Sequence, residues 1–204
     1  MRYSSYKPTL DRLGAMMALV FLSPLLLGIA GVILIVDGRP VLFTQQRAGR
    51  NGEPFRIYKF RTLRVGPKDL QHPKRYLTRT GAFLRHWALD ELPQLWNVVR
   101  GDMSLVGPRP TLCEQAEAYG SFEGKRLRVK PGLTGWAQIN GRNALSWPER
   151  IELDVWYVEH RSFWLDVRIL MRTPFALLHG NGVYGPGGRN DTFPFSSSPE
   201  SLSQ

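Results

Sequence analysis

The sequence predicts a helix-rich α+β protein that begins with a membrane helix. Three observations lead to this fold class. A run of 24 residues from Leu13 to Val36 carries no charged side chain, two short strand patterns follow it, and two later stretches repeat apolar side chains at helical spacing. With 204 residues, 43% hydrophobic and 22% charged, the chain suits one ordered domain with its own core.

The apolar run is long enough to cross a bilayer, at about 1.5 Å per residue against a hydrocarbon core of about 30 Å. Ser23 and Pro24 lie at its centre, where proline removes a helix hydrogen bond. Each arm is then about 18 Å long, too short to span alone. Basic residues flank both ends, so the positive-inside rule favours neither side as the outside. A re-entrant helix broken at Ser23 and Pro24 fits this symmetry, and a kinked span is the alternative.

Two short strands are predicted after the anchor, at residues 41–45 and 54–59. Asn51 and Gly52 between them supply the turn of a β-hairpin. The stretch is rich in basic side chains that suit either solvent or lipid phosphates: Arg47, Arg50, Arg56, Lys59 and Arg61.

The stretch from Leu84 to Pro110 carries the most chemical information. Its apolar side chains repeat at helical spacing at Leu92, Leu95, Trp96 and Val99. Because Gly101 ends the run, a helix is predicted to begin at Asp90. Free N–H groups at such a helix start would keep Asp90 ionised and favour a second anion such as a diphosphate. Taken alone, however, an Asp90-Glu91 pair at this position is better explained as helix capping.

Two loops are predicted to present arginines. Gly107-Pro108-Arg109-Pro110 is a rigid turn that suits either bidentate capture of a phosphate by Arg109 or a surface salt bridge. Residues 131–143 are rich in Gly and Pro and form a second predicted loop, which carries Arg142. Arg85 precedes Asp90 by five residues and lies either near the helix start or on the surface.

The last structured part of the chain is predicted to be helical. Ser146 is a candidate N-cap with Pro148 in the first turn, and the helix that follows carries Asp154, which either faces the site or pairs with an arginine. An aromatic segment from Phe163 suits a helix at the level of lipid headgroups or ordinary core packing. From Gly185 onward the composition predicts a flexible tail.

Charge and cysteine content narrow the class of partner. The net charge is +10, and all of the excess lies in residues 1–110, which indicates an anionic partner. Nucleic acid, anionic lipid and a nucleotide diphosphate all fit on charge alone, but no nucleic-acid-binding motif is present. A single cysteine, Cys113, excludes an internal disulfide and a cysteine metal cluster.

Four motifs follow one another along the chain: Lys59-Phe60-Arg61-Thr62, Thr78-Arg79-Thr80-Gly81, the block at 84–110, and residues 131–135 leading into Asn140-Gly141-Arg142-Asn143. Taken together, they resemble those of the bacterial sugar transferase family, the monotopic phosphoglycosyl transferases that start glycan assembly on a polyprenol phosphate. Their order and spacing agree over about residues 7–184. The sequence differs from the most common family sequence at Ala88, Thr62 and Leu63.

The resemblance implies an architecture. Residues 1–40 would form the re-entrant membrane helix hairpin with both ends cytoplasmic, 41–184 the catalytic domain and 185–204 the tail. A small β-hairpin and membrane-surface helices would surround a cytosolic active site at the bacterial inner membrane. Membrane lipids are expected partners, nucleic acid is not, and a homodimer is left open.

The resemblance also implies an activity, the transfer of a sugar 1-phosphate from a UDP-sugar to undecaprenyl phosphate with release of UMP. Asp90 would be the nucleophile that forms a phosphosugar-aspartyl intermediate, with Mg²⁺ beside it and Glu91 assisting. The expected substrate-binding residues are Lys59, Arg85, Arg109, Arg142 and Asp154. Two alternatives are a catalytically inactive membrane interaction module of the same fold and a basic nucleic-acid-binding protein.

Overall fold

The computed structural model describes residues 3–66, 76–141 and 144–178. The α-helices in these ranges are α1 (Tyr3–Val36), α2 (Gly81–His86), α3 (Leu95–Arg100), α4 (Cys113–Glu117), α5 (Trp136–Ile139), α6 (Trp147–His160) and α7 (Phe163–Leu178). The strands are β1 (Leu42–Ala48), β2 (Pro54–Phe60), β3 (Ser104–Val106) and β4 (Gly132–Thr134), and 3-10 helices cover Arg50–Gly52, Leu89–Gln94 and Glu123–Arg128. The helix-rich α+β class is therefore confirmed. Arg142 and the predicted tail at 185–204 lie outside the described residues.

The predicted β-hairpin is present. β1 and β2 pair antiparallel, from Leu42 opposite Phe60 to Ala48 opposite Pro54, so both strands extend slightly beyond the predicted bounds. Asn51 and Gly52 in the connection have φ values of 58° and 82°. Asn and Gly tolerate this left-handed region better than other residues do, which is why this dipeptide marks the turn in the sequence.

Helix α1 confirms the prediction of a long apolar helix, and it continues through Ser23 and Pro24 without interruption. Pro24 has no N–H, so the Val20 carbonyl lacks its usual helical donor. The Ser23 hydroxyl donates to that carbonyl instead, at 2.8 Å. Ser23 thus compensates locally for Pro24, and a break between two arms of the helix stays a prediction.

Both halves of α1 pack against the rest of the molecule. Ala15 in the first half joins a buried cluster with Leu95 and Met103, and Ile33 in the second half joins another with Phe60 and Leu84. The opposite face is apolar and exposed along its length, at Leu13, Met16, Met17, Val20, Phe21, Leu27 and Ile35. This helix has the length and composition of a membrane segment, and little of its most apolar stretch is buried by the rest of the protein.

Polar contacts fix the two ends of α1 to the same body. Near its start, Lys7 forms an ion pair with Asp166 of α7, and Asp11 accepts a hydrogen bond from Ser104 of β3 at 2.5 Å. Just beyond its end, Asp37 accepts hydrogen bonds from the Thr80 hydroxyl and from backbone N–H groups before α2. Both ends of the helix are therefore bound to the rest of the molecule.

The prediction that residues 131–143 form only a loop is wrong, because this stretch contains β4 and α5. β4 pairs parallel with β3, with Ser104 opposite Gly132 and Val106 opposite Thr134. A Cβ on Gly132 would lie 2.0 Å from the Gly107 nitrogen, so the two backbones approach more closely than any side chain allows. A three-residue strand is too short to show alternation, and the glycines that permit this contact gave it the composition of a loop.

Helices α6 and α7 confirm the prediction that the last structured part of the chain is helical. Ser146 caps α6 in a capping box with Glu149, whose carboxylate accepts from the Ser146 N–H and hydroxyl at 2.8 Å each. α7 buries Asp166 and Ile169 while Trp164 is 76% exposed on its outer face. The outer face of α7 thus exposes large apolar side chains, as α1 does.

Candidate active site

Asp90 lies in a 3-10 helix, Leu89–Gln94, and the prediction that it caps an α-helix is wrong. The α-helix begins only at Leu95, and it ends at Gly101 with φ 89° as predicted. Ala88 precedes the turn with a left-handed φ of 52°, and its carbonyl accepts the Glu91 N–H at 3.1 Å. Because α3 has six residues and starts after Asp90, its dipole does not explain an anion site. The positive charges near Asp90 are those of the side chains Lys59, Arg85 and Arg109.

Glu91 is held by two cations. Its Oε1 lies 2.7 Å from Lys59 Nζ and 2.7 Å from Arg109 Nη2, and Oε2 lies 3.3 Å from Arg109 Nη1. Burial alone would raise the pKa of Glu91, but Arg109 and Lys59 outweigh it and hold the pKa well below its usual range. Glu91 is therefore an ionised carboxylate that fixes the positions of both cations.

Asp90 lies beside this cluster in a different state. Asp90 is 8% exposed, and within the described residues its carboxylate makes no hydrogen bond or ion pair. Burial, together with the charge of Glu91, raises the pKa of Asp90 to about 6, while Lys59, Arg85 and Arg109 partly oppose the shift. Among the described residues, Asp90 is thus a carboxylate without a hydrogen-bond partner that has cations nearby, as suits a nucleophile or a metal ligand.

Arg85 reaches the site from α2, and neighbouring motifs fix that helix. The Arg85 Nε donates to Thr62 Oγ1 at 2.8 Å. Thr62, which differs from the commonest residue of the family at this position, therefore orients the arginine. The Thr62 carbonyl accepts the Thr78 N–H at 3.0 Å, and a Cβ on Gly81 would lie 2.2 Å from the same oxygen. Thr78 and Gly81 thus bring the start of α2 against Thr62.

Asp154 pairs with an arginine, which is one of the two predicted alternatives. Its Oδ2 lies 2.5 Å from Arg126 Nη2, and both side chains are buried. Arg126 also donates to the Arg109 carbonyl at 2.9 Å and to the Tyr119 hydroxyl at 2.7 Å. By way of Arg126, Asp154 therefore supports the loop that carries Arg109. Sequence reasoning missed Arg126, because it lies in the basic stretch 125–130 where nothing distinguishes one buried side chain.

The sequence predicts that Arg47 faces solvent or lipid, but in the structure its side chain is buried near Arg109 and Glu91. Burial and the nearby Arg109 lower the pKa of Arg47 to about 10, and Glu91 opposes this shift. Its Nη2 donates to Gln45 Oε1 at 2.8 Å. The predicted first strand ends at residue 45, whereas β1 of the structure includes Arg47. The predicted hairpin could therefore not show that this side chain meets Arg109.

The described residues contain no group of three or more His, Cys, Asp or Glu side chains that could hold a metal ion. Mg²⁺ does not require one, since it is usually bound through one or two carboxylates together with waters and substrate phosphates. The unpartnered Asp90 carboxylate fits that mode, whereas Glu91 is occupied by Lys59 and Arg109. Arg142, the remaining predicted substrate contact, lies outside the described residues.

The family model described as bacterial sugar transferase matches residues 2–180. The chain is 46% identical to the "Uncharacterized sugar transferase EpsL" of Bacillus subtilis over 181 residues, which cover 85% of this chain and 90% of that protein. It is 39% identical to the "Exopolysaccharide production protein ExoY" of Rhizobium meliloti, covering 87% of this chain and 88% of the relative. It is also 36% identical to the "Undecaprenyl-phosphate galactose phosphotransferase" of Salmonella typhimurium, covering 87% of this chain but 41% of that longer protein.

Proposed function

Because the chain belongs to the bacterial sugar transferase family, we propose that it transfers a sugar 1-phosphate from a UDP-sugar to undecaprenyl phosphate and releases UMP. That it is a transferase enzyme follows from the family and its relatives. The Salmonella relative is named for undecaprenyl phosphate and galactose, and the Rhizobium relative for exopolysaccharide production. The product, a polyprenyl diphosphate sugar, would start the assembly of a polysaccharide.

The observation that carries this proposal is the unpartnered Asp90 carboxylate beside a cation-bound Glu91. An Asp90 oxygen attacks the phosphorus that bears the sugar, a new P–O bond forms, and the P–O bond to UMP breaks. An oxygen of undecaprenyl phosphate then attacks the same phosphorus, and the bond to Asp90 breaks with return of its carboxylate. Two in-line displacements thus replace one direct transfer between two anions.

The surrounding residues have separable roles in this mechanism. Arg109 is 43% exposed, so its guanidinium can bind a phosphate oxygen while it stays bound to Glu91. Lys59 and Arg85 contribute positive charge on other sides of Asp90. Bound Mg²⁺ would neutralise diphosphate charge, with Asp90 as its protein ligand. Arg142 is retained as a proposed substrate contact, and Asp154 acts as a positioning residue through Arg126.

The same proposal includes a monotopic position at the cytoplasmic face of the bacterial inner membrane. Lys7 and Asp11 at one end of α1, and Asp37 beyond the other, bind the same globular body. We infer that these contacts keep both ends of α1 on the same side of the bilayer. Its exposed apolar face supports insertion into the near leaflet, where the lipid acceptor meets Asp90.

The decisive experiment is a UMP-release assay on the purified full chain with Mg²⁺, undecaprenyl phosphate and a panel of UDP-sugars. We expect release with at least one donor, and loss of release in Asp90→Asn. Glu117→Gln is the matched control, because Glu117 is an exposed carboxylate on α4 that takes no part in the cluster. Failure of the wild-type protein with every donor would favour the inactive interaction module.

A further inference from the structure

A cavity of about 380 Å³ opens at the tip of the β-hairpin. It is lined by residues 49–51 and 53–55, by Gly101 and Asp102 after α3, and by Lys130. Pro54 is at one end of β2 and Lys59 is near the other, roughly 17 Å away at about 3.3 Å per residue. This cavity therefore lies apart from the Asp90 cluster, and the proposed reaction does not use it.

Three cationic side chains converge on the cavity. Arg50 and Lys130 line it, and Arg12 of α1 lies over its edge, since a Cβ on Gly101 would be 2.3 Å from Arg12 Nη2. Within residues 3–66, 76–141 and 144–178, these three side chains make no hydrogen bond and no ion pair. Their charges are therefore not neutralised by a direct contact with described residues.

The acidic side chains at the cavity do not balance this charge. Asp102 lies 3.5 Å from Arg100 Nε and 3.3 Å from Asn97 Nδ2, so its carboxylate has other partners. Glu53 is exposed at the rim. Burial lowers the pKa of Lys130, and Arg12 and Arg50 lower it further against the opposing charges of Asp102 and Asp11. Lys130 is thus in a locally positive potential, which an added anion would relieve.

We propose that Arg12, Arg50 and Lys130 form a binding site for the phosphate group of an anionic lipid headgroup. Arg12 immediately precedes the apolar run that begins at Leu13, and Leu13 is itself exposed. A basic side chain at the edge of a membrane-inserted segment lies at the level of lipid phosphates. The cavity volume suits a headgroup rather than a whole lipid. This inference rests on the proposed membrane position of α1.

The test compares lipid binding by two triple variants of equal charge. The first, R12Q/R50Q/K130Q, removes the three cations of the cavity. The control, R56Q/R79Q/R128Q, removes three exposed arginines that do not line it. Each full-length protein, in nonionic detergent, is titrated with phosphatidylglycerol and separately with phosphatidylcholine, and bound lipid is counted by native mass spectrometry. Inorganic phosphate is added as a competitor in a third arm.

We expect the wild type and the control variant to prefer phosphatidylglycerol by about tenfold or more, and the cavity variant to lose that preference. Competition by millimolar inorganic phosphate would assign the site to phosphate as such, without need of the lipid chains. Equal binding of the two lipids by the wild type, or an equal loss in both variants, would overturn the proposal. Thermal unfolding of the three proteins checks that each is folded.

Failure of this inference is distinguishable from failure of the proposed function. Lipid counting does not depend on turnover, so it gives a result even if no UMP is released. Conversely, UMP release by the cavity variant in detergent is expected to persist, because Lys59, Glu91 and Arg109 are unchanged. A normal rate with lost phosphatidylglycerol preference is therefore the expected combination.

Discussion

Asp90 and Glu91 are adjacent in the chain, but of the two only Glu91 has its carboxylate bound by cations of the described residues, Lys59 and Arg109 at 2.7 Å each. Burial raises the pKa of Asp90 to about 6, whereas the two cations lower that of Glu91. Environments that separate the pKa values of neighbouring carboxyl groups also separate their roles. Glu91 organises the positive groups, and Asp90 stays available to react.

This separation predicts the pH dependence of the reaction. Because the nucleophile must be ionised, kcat/KM is expected to rise about tenfold per pH unit below pH 6 and to level off above it. The measurement is a kcat/KM profile for UMP release from pH 5 to pH 8.5 at constant ionic strength. A profile that is flat between pH 5 and pH 7 would contradict the assignment of the raised pKa to the reacting group.

Asp90→Asn is predicted to abolish turnover and to stabilise the fold at neutral pH. The folded pKa of Asp90 lies above the usual value of 3.8, so the folded state binds more protons than the unfolded state between about pH 4 and pH 6. The free energy of unfolding therefore falls as pH rises through that interval, and an amide avoids this loss. We expect a melting temperature a few degrees above wild type at pH 7.5 and a smaller difference at pH 4.5. Near-native activity in the purified variant would contradict the assignment of Asp90 as the nucleophile.

The sequence predicted those elements whose signals are local. Asn51-Gly52 marked the hairpin, Ser146 with Glu149 marked the start of α6, and Gly101 marked the end of α3. The start of α3 was misplaced, because the 3-10 helix before it depends on a left-handed backbone at Ala88, a conformation that is uncommon for alanine.

The parts of the site that depend on tertiary contacts could not be predicted. The pairing of Asp154 with Arg126 joins residues 28 positions apart, and the basic stretch around Arg126 gave no reason to select it. Likewise, the position of Arg47 beside Arg109 depends on how the hairpin packs against the loop after β3. Motif resemblance located Lys59, Glu91 and Arg109, and the structure added how they are held together.

Asp154→Asn is predicted to destabilise the protein by roughly 3–5 kcal/mol, because it leaves a buried Arg126 without its counter-charge. The measurement is thermal or denaturant unfolding of the purified protein. The double variant Arg126→Met with Asp154→Leu removes both charges and is expected to recover much of the stability. If this folded double variant also raises KM for the donor, then Arg126 positions the Arg109 loop; an unchanged KM would limit the pair to a structural role.

The arrangement of α1 predicts that both of its flanks face the cytoplasm. In a Cys113→Ser background, single cysteines at Ser5 and at Gln46 should be unreactive to a membrane-impermeant thiol reagent in intact cells and reactive after permeabilisation. The expectation rests on Lys7 near one flank and Asp37 near the other, both of which bind the same globular body. Labelling of either position in intact cells would refute the monotopic form. Pro24→Leu restores the helical donor to Val20 and is expected to favour a spanning helix, which the same assay would detect.

A covalent intermediate on Asp90 predicts ping-pong kinetics, in which UMP is released before the lipid acceptor binds. Arg85 and Arg109 lie around Asp90, and their charge can hold the donor diphosphate in the absence of the acceptor. Enzyme incubated with Mg²⁺ and a donor labelled in the sugar-bearing phosphate should retain label on the protein, up to one equivalent, and release a matching amount of UMP. Added undecaprenyl phosphate should remove the label, and Asp90→Asn should never acquire it. If a preparation that turns over retains no label with a competent donor, the lipid phosphate attacks the donor directly, and Asp90 acts as a metal ligand or base.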